Sequence, residues 1–344
     1  MKARVRAIVV VAAVAALLAC ACLGADAWSA WLPPVLFVSG AGMGLLAMGW
    51  IHALTGGAWG APLRPPARAA SMLVILAVVA WLPVAWQSPD ILSWMHGDLV
   101  PAQRWFLSPG FFFIRTAVCL AAMAIFGWAG WRRPVTMRRG VLSLLVYAVV
   151  VSMVAVDWVM ALVPAWHSAV LGMTLASSQM VSGAAFGLIC VASARVAPPG
   201  DALLRDLANL LLALTLLWGY LAFMDYLTAW IADQPTEVAW YLPRVATSWW
   251  WLSVVMVLLG FVIPLVSLLS HKLKRDPRAL RWVAGVALSG QACFLAWLVL
   301  PSLRSHGMHA GIADVLAWSG MLVLAWAVVD GAWARSTACF GSRA

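Results

Sequence analysis

The stretch VLSLLVYAVVVSMVAVDWVMALV, residues 141–163, determines the fold class of this chain. It follows the basic pair Arg138-Arg139 and contains a single charged side chain, that of Asp157. An α-helix rises about 1.5 Å per residue, so a helix of this length crosses a hydrocarbon core of roughly 30 Å. The stretch therefore predicts a transmembrane helix with an acidic group near one end.

Composition extends this interpretation to the whole chain. Hydrophobic residues make up 65% of the sequence and charged residues 10%, against roughly a quarter charged in soluble domains. We predict an all-α polytopic membrane protein that forms a single integral membrane domain over residues 1–344. The ten predicted spans cover residues 5–24, 31–54, 68–88, 109–131, 140–163, 167–194, 206–231, 246–270, 281–300 and 311–333.

The distribution of basic residues predicts the orientation. The net charge of +10 does not indicate nucleic-acid binding, because the basic residues form short clusters between apolar segments. If the N-terminus lies inside, all but four of the 22 Lys and Arg residues fall on the inner side. The four exceptions are Arg104, Arg115, Arg244 and Arg304. We expect a multi-pass protein of the bacterial inner membrane with both termini in the cytoplasm.

The first span has an alternative interpretation. A basic start, a short apolar run and the segment Leu17–Cys20 could form a signal peptide or a weak lipobox. The apolar run continues to Leu23, however, and no small-x-small cleavage site is evident. We therefore favour a retained helix.

The cysteines and histidines form no pattern typical of cofactor ligation. The sequence has no CxxCH motif, no cysteine cluster and no nucleotide-binding glycine motif. The histidines do not form pairs at matching depths within spans, as a b-type haem requires. We expect this chain to bind no haem, iron–sulfur cluster, flavin or metal.

Three ionisable residues fall at one predicted depth. Arg115, Asp157 and Asp225 each lie six or seven residues from the outer ends of their spans, which is roughly 10 Å deep. Because such groups are costly in hydrocarbon, they are functional candidates. We expect Arg115 to be shared between the two carboxylates. The arrangement is either a structural link between three helices or a proton-handling site.

Polar and aromatic residues nearby complete the candidate site. His167 is predicted to cap the sixth span, and it forms one helical stripe with Thr174, Ser178 and Ser182. The stripe is either packing contact between helices or a hydrogen-bonding wall for a ligand headgroup. Eleven of the 23 tryptophans, among them Trp166 and Trp240, are predicted to lie near the outer interface, where most of the eleven form an aromatic belt. Trp158 and Trp218 lie within spans and could flank an aromatic ligand or pack in the core.

Two segments resemble the NrfD-like membrane subunits of alternative complex III, best the second, smaller one. Residues 156–168, VDWVMALVPAWHS, resemble the family hairpin DW-M-S-L-x-P-x-W-x-S. Residues 218–227, WGYLAFMDYL, resemble its W-x-Y-x-A-F-x-Q-x-L passage. The later part of that passage is matched by Trp230, Pro235, Glu237, Trp240-Tyr241 and Arg244. Two positions depart from the pattern, because Asp225 replaces an expected Gln and His167 an expected aromatic residue.

The resemblance implies two four-helix bundles with flanking helices and membership of a quinol-oxidising complex that reduces cytochrome c. The implied partners are a multihaem cytochrome, an iron–sulfur protein, a second NrfD-like subunit and membrane lipid. We predict quinol as the bound substrate and Asp157 as its proton acceptor, because quinol oxidation releases protons. The predicted catalytic residues are Asp157, Arg115, Asp225 and His167. The predicted quinol-binding residues are Trp158, Trp166, Thr174, Ser178 and Trp218.

Two other classes of function stay open. A proton-coupled secondary transporter commonly has interrupted helices, and Pro83 and Pro264 interrupt two of the predicted spans. The predicted acidic layer is, however, shallower than the midplane sites of such transporters. A pure membrane anchor that tethers a redox partner is the third possibility.

Overall fold

A computed structural model describes residues 3–97, 101–193, 200–309 and 311–341. The regular structure in these ranges is helical. The α-helices are α1 (Ala3–Ala21), α2 (Ala25–Thr55), α3 (Arg64–Trp86), α4 (Ser88–Ile91), α5 (Pro101–Arg104), α6 (Pro109–Arg132), α7 (Met137–Trp158), α8 (Leu171–Ala192), α9 (Asp201–Ala232), α10 (Pro235–Ala246), α11 (Trp250–Val257), α12 (Ile263–Leu269), α13 (Pro277–Leu303) and α14 (Ile312–Gly341).

Nine helical segments in the described ranges are long and apolar enough to cross a membrane. They are Ala27–Thr55, Arg64–Trp86, Pro109–Arg132, Met137–Leu162, Leu171–Ala192, Asp201–Ala232, Trp250–Leu269, Pro277–Leu303 and Ile312–Trp333. The chain is therefore an all-α, multi-pass membrane protein, as predicted. The predicted spans from the second to the tenth each coincide with one of these segments.

The first predicted span forms the helix α1, whose apolar part Val5–Ala21 is shorter than the other nine. It packs along α14, and the Arg6 guanidinium forms an ion pair with Asp330 at 2.9 Å. Retention of α1 in the mature protein stays a prediction. Three of the basic residues counted for the orientation, Lys2, Arg195 and Arg343, lie outside the described residues, as does the predicted end of the sixth span at residue 194.

Helix α2 is the centre of the bundle and contacts α3, α7, α8, α13 and α14. Its closest neighbour is α8, because glycines allow the two backbones to touch. A Cβ atom on Gly44 would overlap the backbone oxygen of Gln179, and one on Gly183 would overlap the backbone nitrogen of Leu45. Small residues at helix crossings are a common means of close packing in membranes.

The hairpin after α7 is longer than predicted. Helix α7 ends at Trp158, a short 3₁₀-helix follows at Met160–Leu162, and α8 begins only at Leu171. Pro164 has no N–H and restricts the conformation of Val163, so the helical turn does not continue beyond Leu162. The Ser168 hydroxyl then accepts hydrogen bonds from the backbone N–H groups of Val170 and Leu171. The prediction that His167 caps this helix is therefore wrong, because His167 lies in the loop.

Two irregular elements shape the region between α9 and α13. The short helix α10, absent from the predicted spans, follows the turn at Asp233, whose φ of 47° is left-handed. The helix formed by α11 and α12 widens into a π-helix at Leu258–Val262. Pro264 follows two residues after the end of the π-helix and has no N–H to offer the preceding turn. Such π segments are frequent at functional sites.

Candidate functional site

The predicted site residues divide into two groups, and the first is the ion pair of Arg115 and Asp157. Nη2 of Arg115 lies 2.7 Å from Oδ1 of Asp157, and Nε lies 2.9 Å from Oδ2. Nη1 donates a third hydrogen bond to the Phe106 carbonyl at 2.8 Å. Both side chains are buried, with exposed fractions of 8% and 2%. This fork-to-fork pairing links α6 to α7 and to the segment that precedes α6.

The surroundings of this ion pair leave no room for a ligand. The rings of Phe106 and Phe111 cover the guanidinium, with centroids 3.9 Å and 4.4 Å from its central carbon. The cavity beside Asp157 has a volume of only about 10 Å³, which is about one water molecule. Trp158 packs against Trp81, with ring centroids 4.8 Å apart. Trp158 is therefore a core residue and the ion pair is closed.

Asp225 belongs to a second group and does not share Arg115. Its Oδ1 accepts a hydrogen bond from the Ser168 hydroxyl at 2.6 Å, and its Oδ2 accepts one from the Tyr241 phenol at 3.3 Å. The expected sharing of one arginine between two carboxylates is therefore wrong. The loop before α8 places Ser168 beside Asp225 of α9, and α10 places Tyr241 beside the same carboxylate, so Asp225 has partners other than Arg115.

Asp225 lines a cavity of about 670 Å³ between α8, α9, α10, α11 and α13. This volume is in the range of sites for small organic ligands. Three of the nine predicted site residues line it, namely Thr174, Trp218 and Asp225. The other aromatic and polar residues in its wall are Tyr220, Phe223, Tyr226, Trp240, Tyr241, Arg244, Ser253, Phe261, Phe294 and Trp297.

Aromatic rings form much of the wall of this cavity. Trp218 meets Phe294 edge to face at 5.3 Å. Trp240 stacks on Trp166 at a centroid distance of 4.1 Å and an interplanar angle of 11°. Trp166 thus contributes from behind the wall rather than by lining the cavity. Trp166 and Trp240 are each 2% exposed, so these two do not belong to the predicted interfacial belt.

The remaining predicted residues lie outside the cavity. His167 is exposed and contacts Gln103, with Nε2 atoms 3.2 Å apart. Ser178 is buried and donates a hydrogen bond to the Gln291 side-chain oxygen at 2.6 Å, between α8 and α13. Ser178 therefore acts as an interhelical contact, which was one of the two alternatives for the polar stripe.

Among the cavity residues that sequence reasoning did not select, Tyr241 and Arg244 carry polar groups, and both occur in the resemblance pattern. The signal was available in the spacing of Glu237, Trp240, Tyr241 and Arg244, which places them on one face of a helix. Burial raises the pKa of Tyr241, and the Asp225 carboxylate raises it further. The phenol is therefore neutral and can only donate its proton to Asp225 as a hydrogen bond.

Arg244 is buried beside the cavity and holds α10 against α13. Its Nε donates to the Trp297 carbonyl at 3.2 Å, and its Nη2 donates to the Leu298 carbonyl and the Ser302 hydroxyl, both at 2.9 Å. Pro301 has no N–H for the Trp297 carbonyl, four residues earlier, so the arginine satisfies an acceptor that the helix leaves free. The guanidinium also stacks on Trp240 at 3.3 Å.

In the part of the chain that the structure describes, no group of three His, Cys, Asp or Glu residues could hold a metal ion. That the chain binds no haem, iron–sulfur cluster or flavin stays a prediction. No protein-family model matches the sequence, and no curated protein shows significant similarity to it. The resemblance to NrfD-like subunits therefore also stays a prediction.

Proposed function

We propose that this chain is a membrane subunit of a respiratory quinol:electron-acceptor oxidoreductase and that it binds quinol in the cavity beside Asp225. The observation that carries the proposal is the cavity itself, in which aromatic and aliphatic walls surround one carboxylate and its two hydroxyl donors. A quinol has a planar ring, two hydroxyl groups and an apolar tail. The apolar and aromatic wall can contact the ring and the tail of a quinol, and the Asp225 carboxylate can accept a hydrogen bond from one of its hydroxyl groups.

Access from the bilayer supports a lipid-soluble ligand. Several cavity residues are also exposed on the membrane-spanning helices, among them Tyr220 and Phe223 of α9 and Val257 of α11. An opening lined by such residues admits a ligand that is dissolved in lipid. A water-soluble substrate would have to cross the same apolar surface.

The chemistry assigned to Asp225 is proton acceptance. Oxidation of a quinol breaks two O–H bonds, releases two protons and passes two electrons to an acceptor. The Asp225 carboxylate takes one of these protons, the other passes to water, and the two electrons leave for a haem or iron–sulfur cluster of a partner subunit. This proposal replaces Asp157 by Asp225 as the acceptor, because Asp157 is bound to Arg115 and has no space for a quinol ring.

The proposal also covers the membrane in which the chain lies, its orientation there and its partner subunits. The distribution of basic residues supports an inner-membrane protein with cytoplasmic termini, so that the cavity lies toward the periplasmic side. The partners are a multihaem cytochrome, an iron–sulfur protein and a second NrfD-like subunit. Because the proposal assigns the redox centres to these partners, we expect the isolated chain to oxidise no quinol.

The test is the substitution Asp225→Asn in the assembled complex. The variant keeps the shape of the side chain and removes the proton acceptor, so we expect quinol oxidation to fall by about 10²–10⁴-fold, the usual contribution of general base catalysis. The measurement is steady-state turnover together with the amount of assembled complex. Asp90→Asn, which changes an exposed carboxylate outside the cavity wall, is the matched control. Normal assembly with unchanged turnover of Asp225→Asn would refute the proposal.

A proton-coupled transporter is the second candidate, because the cavity lies beside the π-helical interruption at Leu258–Val262. Interrupted helices are typical of such transporters. Substrate-dependent proton uptake by the chain alone in lipid vesicles would favour this candidate. Quinol binding without such uptake would favour the subunit of an oxidoreductase. Absence of both quinol binding and proton uptake would favour the pure anchor.

A further inference from the structure

Arg244 carries a positive charge that the described part of the chain does not neutralise. Its hydrogen-bond acceptors are the carbonyl groups of Trp240, Trp297 and Leu298 and the hydroxyl of Ser302, all of them neutral. No ion pair with a described carboxylate is formed. The side chain is only 1% exposed, and arginine is rarely buried to this extent without an anion.

The link between α10 and α13 explains the position of Arg244 but not its charge. A neutral donor could satisfy the carbonyl groups that the helices leave free. The guanidinium has five N–H groups in a planar fork, and the four contacts above leave one Nη1 hydrogen without an acceptor among them. Arg244 also lines the 670 Å³ cavity. A ligand in that cavity is the available source of a compensating negative charge.

Among the described residues of the cavity wall, Asp225 is the one carboxylate, and it does not supply this charge directly. Asp225 is bonded to the hydroxyl groups of Ser168 and Tyr241 and not to Arg244. The wall thus carries a proton acceptor and a cation that are not paired with each other. A ligand oxygen that gives its proton to the carboxylate and keeps the negative charge beside the guanidinium would complement both.

We infer that the cavity binds its ligand with a negatively charged oxygen beside Arg244. For the quinol of the proposed function, on which this form of the inference rests, one O–H bond breaks and the proton moves to the Asp225 carboxylate. The electron pair of that bond stays on the oxygen, and the quinolate is stabilised by the guanidinium. The carboxylate of a fatty acid would present the same chemistry, so the test separates the two sources.

The test uses matched pairs of ligands that differ in charge. A 3-alkyl-2-hydroxy-1,4-naphthoquinone is an anion at neutral pH, and its 2-methoxy analogue is neutral. Dodecanoate and dodecanol form a second pair without a quinone ring. Binding to the purified full-length chain in detergent is measured by titration calorimetry and corrected for partition into empty micelles. We expect the hydroxynaphthoquinone to bind at least about 10-fold more tightly than its methoxy analogue.

Three variants show whether Arg244 causes this preference, and a fourth probes the charge of the wall. Arg244→Gln should reduce the preference to less than about threefold, whereas Arg244→Lys should keep most of it because the charge remains. Ser302→Ala removes one contact of the same clamp without changing the charge and should leave the preference intact. Asp225→Asn removes a negative charge from the cavity wall and should not weaken binding of the anion. If Arg244→Gln does not fold, the comparison of the two naphthoquinones on the wild-type protein still decides, because equal binding overturns the inference.

Each outcome decides between the two proposals. Equal binding of the two naphthoquinones by the wild-type protein would overturn the inference and leave the quinol site in place. Arg244-dependent binding of dodecanoate, without binding of either naphthoquinone, would support the anion site and refute the quinol function. A preference that survives in Arg244→Gln would overturn the inference, because the charge would then come from elsewhere.

Discussion

At the scale of single residues, the buried carboxylate of Asp157 and the partly buried carboxylate of Asp225 differ in what surrounds them. Asp157 meets a guanidinium in a closed site, whereas Asp225 meets two hydroxyl groups at the wall of a cavity. A carboxylate that is neutralised by arginine and shielded from ligands is suited to hold helices together. A carboxylate that is bonded only to neutral donors is suited to accept a proton.

We therefore expect Asp157→Asn to act on stability rather than on turnover. The substitution leaves the Arg115 charge buried and uncompensated, which costs about 3–5 kcal/mol. The measurement is thermal unfolding in detergent, with the exposed carboxylate variant Asp90→Asn as control. The double variant Arg115→Met/Asp157→Leu removes both charges and should recover most of the loss. Equal stability of Asp157→Asn and the control would show that the ion pair is not structural.

At the scale of helices, close backbone contact between α2 and α8 depends on glycine. Gly44 faces the backbone of Gln179, whereas a Cβ atom placed on Gly49, further along α2, would meet no atom of a neighbouring element within 4 Å. Both glycines lie in the same apolar span, so the sequence alone does not distinguish them. Their different surroundings arise only when α8 packs on α2.

This difference predicts opposite results for two matched substitutions. Gly44→Ala should destabilise the bundle by about 3 kcal/mol or more, because a methyl group would force two packed backbones apart. Gly49→Ala should be neutral or stabilise the helix by up to about 1 kcal/mol, because alanine has the higher helix propensity. Thermal unfolding in detergent measures the stability of both variants relative to the wild-type protein. The packing of α2 on α8 would be in error if the two variants unfolded alike.

At the scale of the whole molecule, the arrangement of helices places the cavity near the loop ends that carry few basic residues. The loop that joins α9 to α10 at Asp233 lies on this side, and the clusters Arg132-Arg133 and Lys272–Arg275 lie at the opposite ends of their helices. The positive-inside rule then predicts that the cavity faces the periplasm.

Reporter fusions test this orientation. A reporter that is active only in the cytoplasm should function after Ala344 and fail after Asp233, and a reporter that is active only in the periplasm should show the reverse. The two fusion points lie on opposite predicted sides, so each serves as the control for the other. The reverse pattern at both points would invert the topology and place the proposed proton release in the cytoplasm.

The sequence by itself was sufficient for the fold class and for nine of the spans, because both depend on local properties. A run of apolar residues such as 141–163 must form its backbone hydrogen bonds internally in lipid, and a helix does so without any partner. The sequence also selected Arg115, Asp157 and Asp225, since charge in an apolar span is visible without a structure.

The partners of those charges were decided by the tertiary structure. Depth along a helix can be counted from the sequence, but rotation and helix neighbours cannot, so the sequence could not show that Arg115 pairs with Asp157 alone. The same holds for the cavity, whose wall is assembled from α8, α9, α10, α13 and the helix that contains the π segment. Tyr241 and Arg244 enter the site only through that packing, since both lie on α10, outside every predicted span.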